Sequence, residues 1–117
     1  MKKLKQMDAA CAVLALCYVS KKDEEAVLRV ATLHGFLPGK GMEDPEWMGA
    51  AKTLGIHFKA VNPTPMELRK FIKIFPKDLY FVETPGHLLV VDNSLIIDPR
   101  WGSPGLRRKV LNAWKVT

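Results

Sequence analysis

Only two cysteines, Cys11 and Cys17, occur among the 117 residues of the chain. Six positions apart on one helix, they project from different faces almost two turns apart, which excludes a bond between them there. That rules out a disulfide framework, and two thiols fit a reducing compartment. Histidine is equally sparse: His34, His57 and His87 are scattered without the spacing of a zinc site. There is no internal repeat at solenoid-like periods and no low-complexity tract. The apolar run from Ala9 to Val19 has eleven residues, too few to cross a bilayer. It follows a basic start, Met1-Lys2-Lys3-Leu4-Lys5, as a signal peptide would. However, Gln6 and Asp8 interrupt the approach and no A-x-A cleavage site follows. The run therefore reads as a buried core helix and the expected location is cytoplasmic; export is the alternative if the run acts as a signal.

What is present describes one globular domain. Apolar residues make up 48% and charged residues 26%, values at which a chain of this length buries a core without staples. The balance of 18 Lys and Arg against 12 Asp and Glu, +6 overall, favours acidic partners in general and says little about fold.

The first half is helical by pattern. Asp8 is an N-cap candidate for a helix over 9–20 that is apolar on nearly every side and so belongs in the interior. Asp23 caps a second helix that carries Ala26, Val27, Val30, Ala31 and Leu33 and ends at Gly35. A loop with Pro38, Gly39 and Gly41 follows. Asp44-Pro45-Glu46, an N-cap with proline behind it, starts a third helix that stops at Gly55.

The second half alternates instead. Strands are expected over 56–61, 79–83, 87–92 and 94–97, with turns at Pro85-Gly86 and Asp92-Asn93. One helix interrupts them, opened by a Thr64/Glu67 capping box and ending near Phe75. Residues 107–116 suit a strand better than a helix. Helices first and an antiparallel sheet second make the fold class α+β, a single domain over 1–117 with a helical half to about residue 55.

Thiol chemistry needs a thiolate, an imidazole near it and a group that fixes the imidazole tautomer. Cys11 falls in the first turn of the buried helix, where the helix dipole and unbonded N–H groups lower a thiol pKa. Cys17 lies deeper, among Val13, Leu14 and Leu16, and reads as core. An Asp92-Asn93 turn pairs His87 with Asp98, and opposed side chains on such a ladder have Cβ atoms ~5 Å apart. A turn at Asn93-Ser94 leaves the two diagonal on one face, whereas a three-residue loop separates them. Gly86 leaves room for close approach to the His87 ring. Gln6, upstream of Cys11, can donate with the Cys11 backbone N–H to an oxyanion.

These residues carry a resemblance. Gln6, Cys11, His87-Leu88-Leu89-Val90-Val91 and Ile97-Asp98-Pro99 resemble the bacteriocin-processing, double-glycine-leader peptidases of the papain-like superfamily. The helix-to-strand segment Ala50-Ala51-Lys52-Thr53-Leu54-Gly55 extends the likeness over most of the chain. Two features differ: Ala10-Cys11-Ala12 stands where that family has Asp-Cys-Gly, and Gln6 is five residues before the cysteine rather than six. The resemblance implies a papain-like fold, its nucleophile helix packed on the sheet, and a cysteine peptidase acting through a Cys11 thioester. In that reading His87 is the base, Asp98 its orienter and Gln6 an oxyanion donor. The substrate is a peptide or protein, and no cofactor or metal is expected.

Two other classes stay open. One is a papain-like module that binds protein without catalysis. The other is a basic protein for nucleic acid or acidic protein, using Lys2-Lys3-Lys5, Lys21-Lys22, Arg69-Lys70-Lys73-Lys77 and Arg107-Arg108-Lys109. Those clusters are dispersed in sequence and read first as solvated surface.

Overall fold

A helix without a polar face has to be covered on every side, and the 9–20 run obeys that rule. In the computed structural model, which describes residues 10–61, 63, 65–97 and 106–117, it forms helix α1, Cys11–Ser20. Ala12 through Cys17 are all buried. Its N-cap is Ala10, so the helix begins after the cap position expected at Asp8, a residue outside those described. Helix α2 spans Glu24–Leu33, and Asp23 caps it as expected, its Oδ1 accepting from the Ala26 N–H at 2.9 Å. Helix α3 spans Asp44–Thr53.

The cap of α3 is Glu43 rather than Asp44. The Glu46 carboxylate accepts from the Glu43 N–H at 2.9 Å, which fixes the chain one residue earlier. That contact also holds the Glu46 carboxyl below its ordinary range, with Lys40 adding to the effect. Asp44 is released to accept from the Trp47 indole N–H at 2.9 Å. The three helices contact one another pairwise and, with the chain as far as His57, make one unit.

The second unit begins at Phe58. Its strands are β1 Phe58–Val61, β2 Met66–Glu67, β3 Leu79–Thr84, β4 His87–Asp92, β5 Leu95–Ile97, β6 Lys109–Val110 and β7 Asn112–Val116; helix α4, Leu68–Ile74, follows β2. Five strands form an antiparallel sheet in the order β1-β7-β3-β4-β5, and β2 pairs with β6. The class is therefore α+β, with helices before sheet. Among the described residues no helix is long and apolar enough to cross a membrane.

One face of the sheet is a core of Tyr80, Val82, Leu89, Val91 and Ala113, closed over by Leu68 and Phe71 of α4 with Met66 and Val110. Phe71 meets Tyr80 edge-on, with ring centroids 5.4 Å apart. Alternate residues Phe81, Leu88, Val90 and Trp114 point to the opposite face and are buried too, so these strands are apolar on both sides.

The start of α4 departs from expectation. Met66-Glu67 pairs with Val110 and Lys109 as a strand, so the helix starts only at Leu68; Thr64 lies outside the described residues. Glu67 binds Arg69 at 2.6 Å and makes no side-chain cap. The leading N–H groups of α4 are taken by distant carbonyls, Leu68 N–H by Arg108 O at 2.8 Å and Arg69 N–H by Leu106 O at 2.9 Å. Elsewhere the 56–61 strand starts at Phe58, and the 107–116 strand is broken at Leu111, whose N–H donates to Glu83 O at 2.8 Å.

Candidate active site

Cys11 is the first residue of α1 and is partly exposed. The helix starts without a side-chain cap and without an acidic residue in its first turn. Its first internal bond runs from Leu14 N–H to Ala10 O at 2.9 Å, so the N–H groups of the opening turn have no acceptor within the helix. That end of a helix carries partial positive charge, the setting that favours a thiolate. Cys17 is 5% exposed, and burial, helped by the Glu24 carboxylate, pushes its thiol up to about 11. One thiol is thus partly exposed at the start of the helix and the other buried within it.

His87 opens β4 and is buried. Thr84 and His87 flank the Pro85-Gly86 turn as a direct cross-strand pair. They are the two buried polar side chains among the described residues. By strand alternation both belong to the face of Val82 and Leu89. Gly86 has φ +68°, and a Cβ built there meets nothing within 4 Å. The glycine is therefore demanded by the turn conformation after a proline, and the expectation that it clears space for the ring is corrected.

The β4–β5 ladder pairs Val91 with Ile96 and Asp92 with Leu95. Its turn is Asn93-Ser94, not Asp92-Asn93, and both turn residues have positive φ, +48° and +71°. Side-chain bonding explains the shift. Asn93 exchanges bonds with Asp78 (backbone N–H to Asp78 O, 2.9 Å; Oδ1 from Asp78 N–H, 3.3 Å). The Ser94 hydroxyl reaches the carbonyls of Pro76 at 3.0 Å and Ile72 at 3.2 Å. The register that would set His87 directly opposite position 98 is therefore not the one formed. Asp98 and Gln6 themselves lie outside the described residues, as does Trp101.

The other histidines have ordinary surroundings. The His34 Nε2 lies 2.9 Å from Thr53 Oγ1, tying the end of α2 to the end of α3, and the ring rests against Gly49. His57 is exposed and precedes β1. Trp47 and Trp114 are buried. Among the described residues no group of three or more His, Cys, Asp or Glu side chains is arranged to hold a metal.

Charge is unevenly shared. The chain to His57 has eight Lys and Arg against seven Asp and Glu, and the chain from Phe58 has ten against five. In the second unit two clusters far apart in sequence are adjacent, because β6 pairs with β2 and the 106–108 carbonyls cap α4. Arg69 and Lys70, at the start of α4, thus lie near the Arg107–Lys109 segment, with Glu67 bound to Arg69 at 2.6 Å.

Thr84, the buried polar residue paired with His87, was not singled out from the sequence. The signal was available: a two-residue turn on Pro85-Gly86 makes positions 84 and 87 partners. Compared with known proteins, the chain matches no family model, no curated protein and no solved structure.

Proposed function

We propose that the chain is a papain-like cysteine hydrolase that cleaves a peptide or amide bond, with Cys11 as nucleophile, His87 as base and Asp98 orienting that base. The observation that carries this reading is the contrast between the thiols. Cys11 heads an uncapped helix and is partly exposed, while Cys17 is sealed in the core with a raised pKa. His87 adds to it, as a histidine at the head of a buried strand with its side chain shielded from solvent.

In the proposed reaction His87 takes the Cys11 proton as Sγ attacks the carbonyl carbon. The tetrahedral oxyanion is met by the Cys11 N–H and the Gln6 side-chain amide. Collapse breaks the C–N bond, the amine leaves with the proton from His87, and a Cys11 thioester remains. Water, deprotonated by His87, then attacks the thioester, releasing a carboxylic acid and restoring the thiol. Asp98 holds one ring nitrogen throughout.

The test is a fluorogenic peptide library with the wild-type chain and Cys11→Ser. Cleavage that is lost in Cys11→Ser and kept in Cys17→Ser supports the hydrolase. Absence of cleavage together with unreactive Cys11 leaves the non-catalytic binding module. The merged basic segments of the second unit favour, as the second reading, a surface for an acidic partner.

A further inference from the structure

Thr84 is completely buried, and among the described residues its hydroxyl has no hydrogen-bond partner. That arrangement is costly, because the hydroxyl has given up water and received nothing in exchange. Valine would fill the same volume, suit the strand equally and carry no such penalty. The hydroxyl is therefore a group for which a bonding partner is to be sought among its neighbours.

The neighbour that can supply that bond is His87. The two are direct cross-strand partners across the Pro85-Gly86 turn and share one face of the sheet. Side chains so paired start ~5 Å apart at Cβ, so one side-chain rotation brings a ring nitrogen within reach of Oγ1. The rest of that face offers apolar neighbours: Val82 and Leu89 beside the pair, then Tyr80, Val91 and Ala113, with Leu68 and Phe71 from α4 and Ile96 from β5. Among the described residues Tyr80 is the one other titratable group in that core, four residues along β3 from Thr84. Glu83, opposite Leu88, points to the other face, and the α4 cations Arg69, Lys70 and Lys73 are exposed.

We propose that Thr84 is a positioning residue for His87, its hydroxyl sharing the ring N–H that Asp98 accepts, which holds the ring on the β3 side of its strand and leaves the other nitrogen for Cys11. The hydroxyl oxygen accepts from the protonated ring and its hydrogen turns aside, a change needing only rotation about the C–O bond. Stabilising the charged form raises the affinity of the ring for its proton. The proposal rests on His87 being the base of the proposed hydrolase, but its test reads the ring itself.

The experiment follows the His87 ring by NMR through a pH titration in wild type, Thr84→Val and Thr84→Ser, with thermal unfolding of each. In Thr84→Val the midpoint of unfolding should hold or rise, while the His87 pKa falls by about one unit through loss of the bond to the charged ring. Thr84→Ser, which keeps the hydroxyl, should restore the wild-type titration. An unchanged His87 pKa and tautomer in Thr84→Val overturns the proposal, as does a serine variant that titrates like valine. A His87 shift that leaves Cys11 alkylation unaltered sustains the role of Thr84 and counts against the hydrolase, so the two failures are distinguishable.

Discussion

Val90 pairs with Ile97 across the last ladder of the sheet, and that register follows from the two residues that turn the chain, Asn93 and Ser94. Both stand at positive φ, as a type I′ turn requires, and both spend side-chain groups on the end of α4 or the segment between it and β3. Because a strand repeats every two residues, the length of the turn decides which later side chains share a face with His87, and its position decides which stand directly opposite. A turn one residue earlier changes the partner but preserves the face, whereas a loop of odd length would reverse it.

This turn can be tested by substitution. Asn93→Val places a β-branched residue at φ +48° and deletes the bond from the Asp78 N–H. The left-handed conformation alone costs about 1–2 kcal/mol for such a residue. Urea denaturation should show a loss of that order or somewhat more, with an unchanged m-value. A variant as stable as wild type would mean that the turn residues do not set the register.

The proposed orienter is separated from a nearby control by the same ladder. Asp98→Asn keeps size and removes the charge that steadies an imidazolium, so it should lower kcat/KM strongly, by up to about four orders of magnitude, with little change in stability. Asp92→Asn, at the far end of β4 and opposite Leu95, should leave turnover intact. Equal activity in both variants would remove Asp98 from the mechanism and leave Cys11 and His87 as a dyad.

What could be read from the residues was whatever depends on near neighbours. The Asp23 cap, the stop at Gly55 and the span of β4 are set within a few positions, and the sequence displays them. Pairings closed over long separations were not visible. Met66 joins a strand only because Val110 arrives beside it, and that contact overrides a local helix-start pattern at Thr64. Asn93 displaces the expected turn because Asp78, fifteen residues away, accepts and donates to it. The candidate site divides the same way. The position of Cys11 at a helix start is local and readable, while the unsatisfied hydroxyl beside His87 emerges only with burial.

The joined basic segments predict salt-sensitive association with polyanions. Lys70→Glu with Lys109→Glu should shift heparin elution to clearly lower salt, since log K falls with the number of phosphate- or sulfate-neutralising charges. Lys21→Glu with Lys22→Glu, in the nearly balanced first unit, should shift it less. Submicromolar binding of a mixed-sequence oligonucleotide at physiological salt would raise the acidic-partner reading above the hydrolase.

The two cysteines give the sharpest separation. Alkylation requires the thiolate, and with its thiol pushed up to about 11 Cys17 holds roughly one molecule in ten thousand as thiolate at pH 7. Iodoacetamide should therefore modify Cys11 well before Cys17 near neutral pH, and mass spectrometry of the digested protein reads both. Raising the pH adds a second signature. In the unfolded chain Cys17 ionises near 9.0, so the folded state binds the proton more tightly. The stability this contributes is complete below about pH 9 and is lost as the pH rises towards 11. Over that window Cys17 labelling should accelerate together with a falling unfolding midpoint. Cys17→Ser, which buries a hydroxyl in place of the thiol, should cost about 1–3 kcal/mol while leaving any activity in place. Cys11→Ser should show the reverse, a normal unfolding transition and no turnover. Equal, slow labelling of both thiols in the native protein at pH 7 would mark Cys11 as structural and end the hydrolase reading.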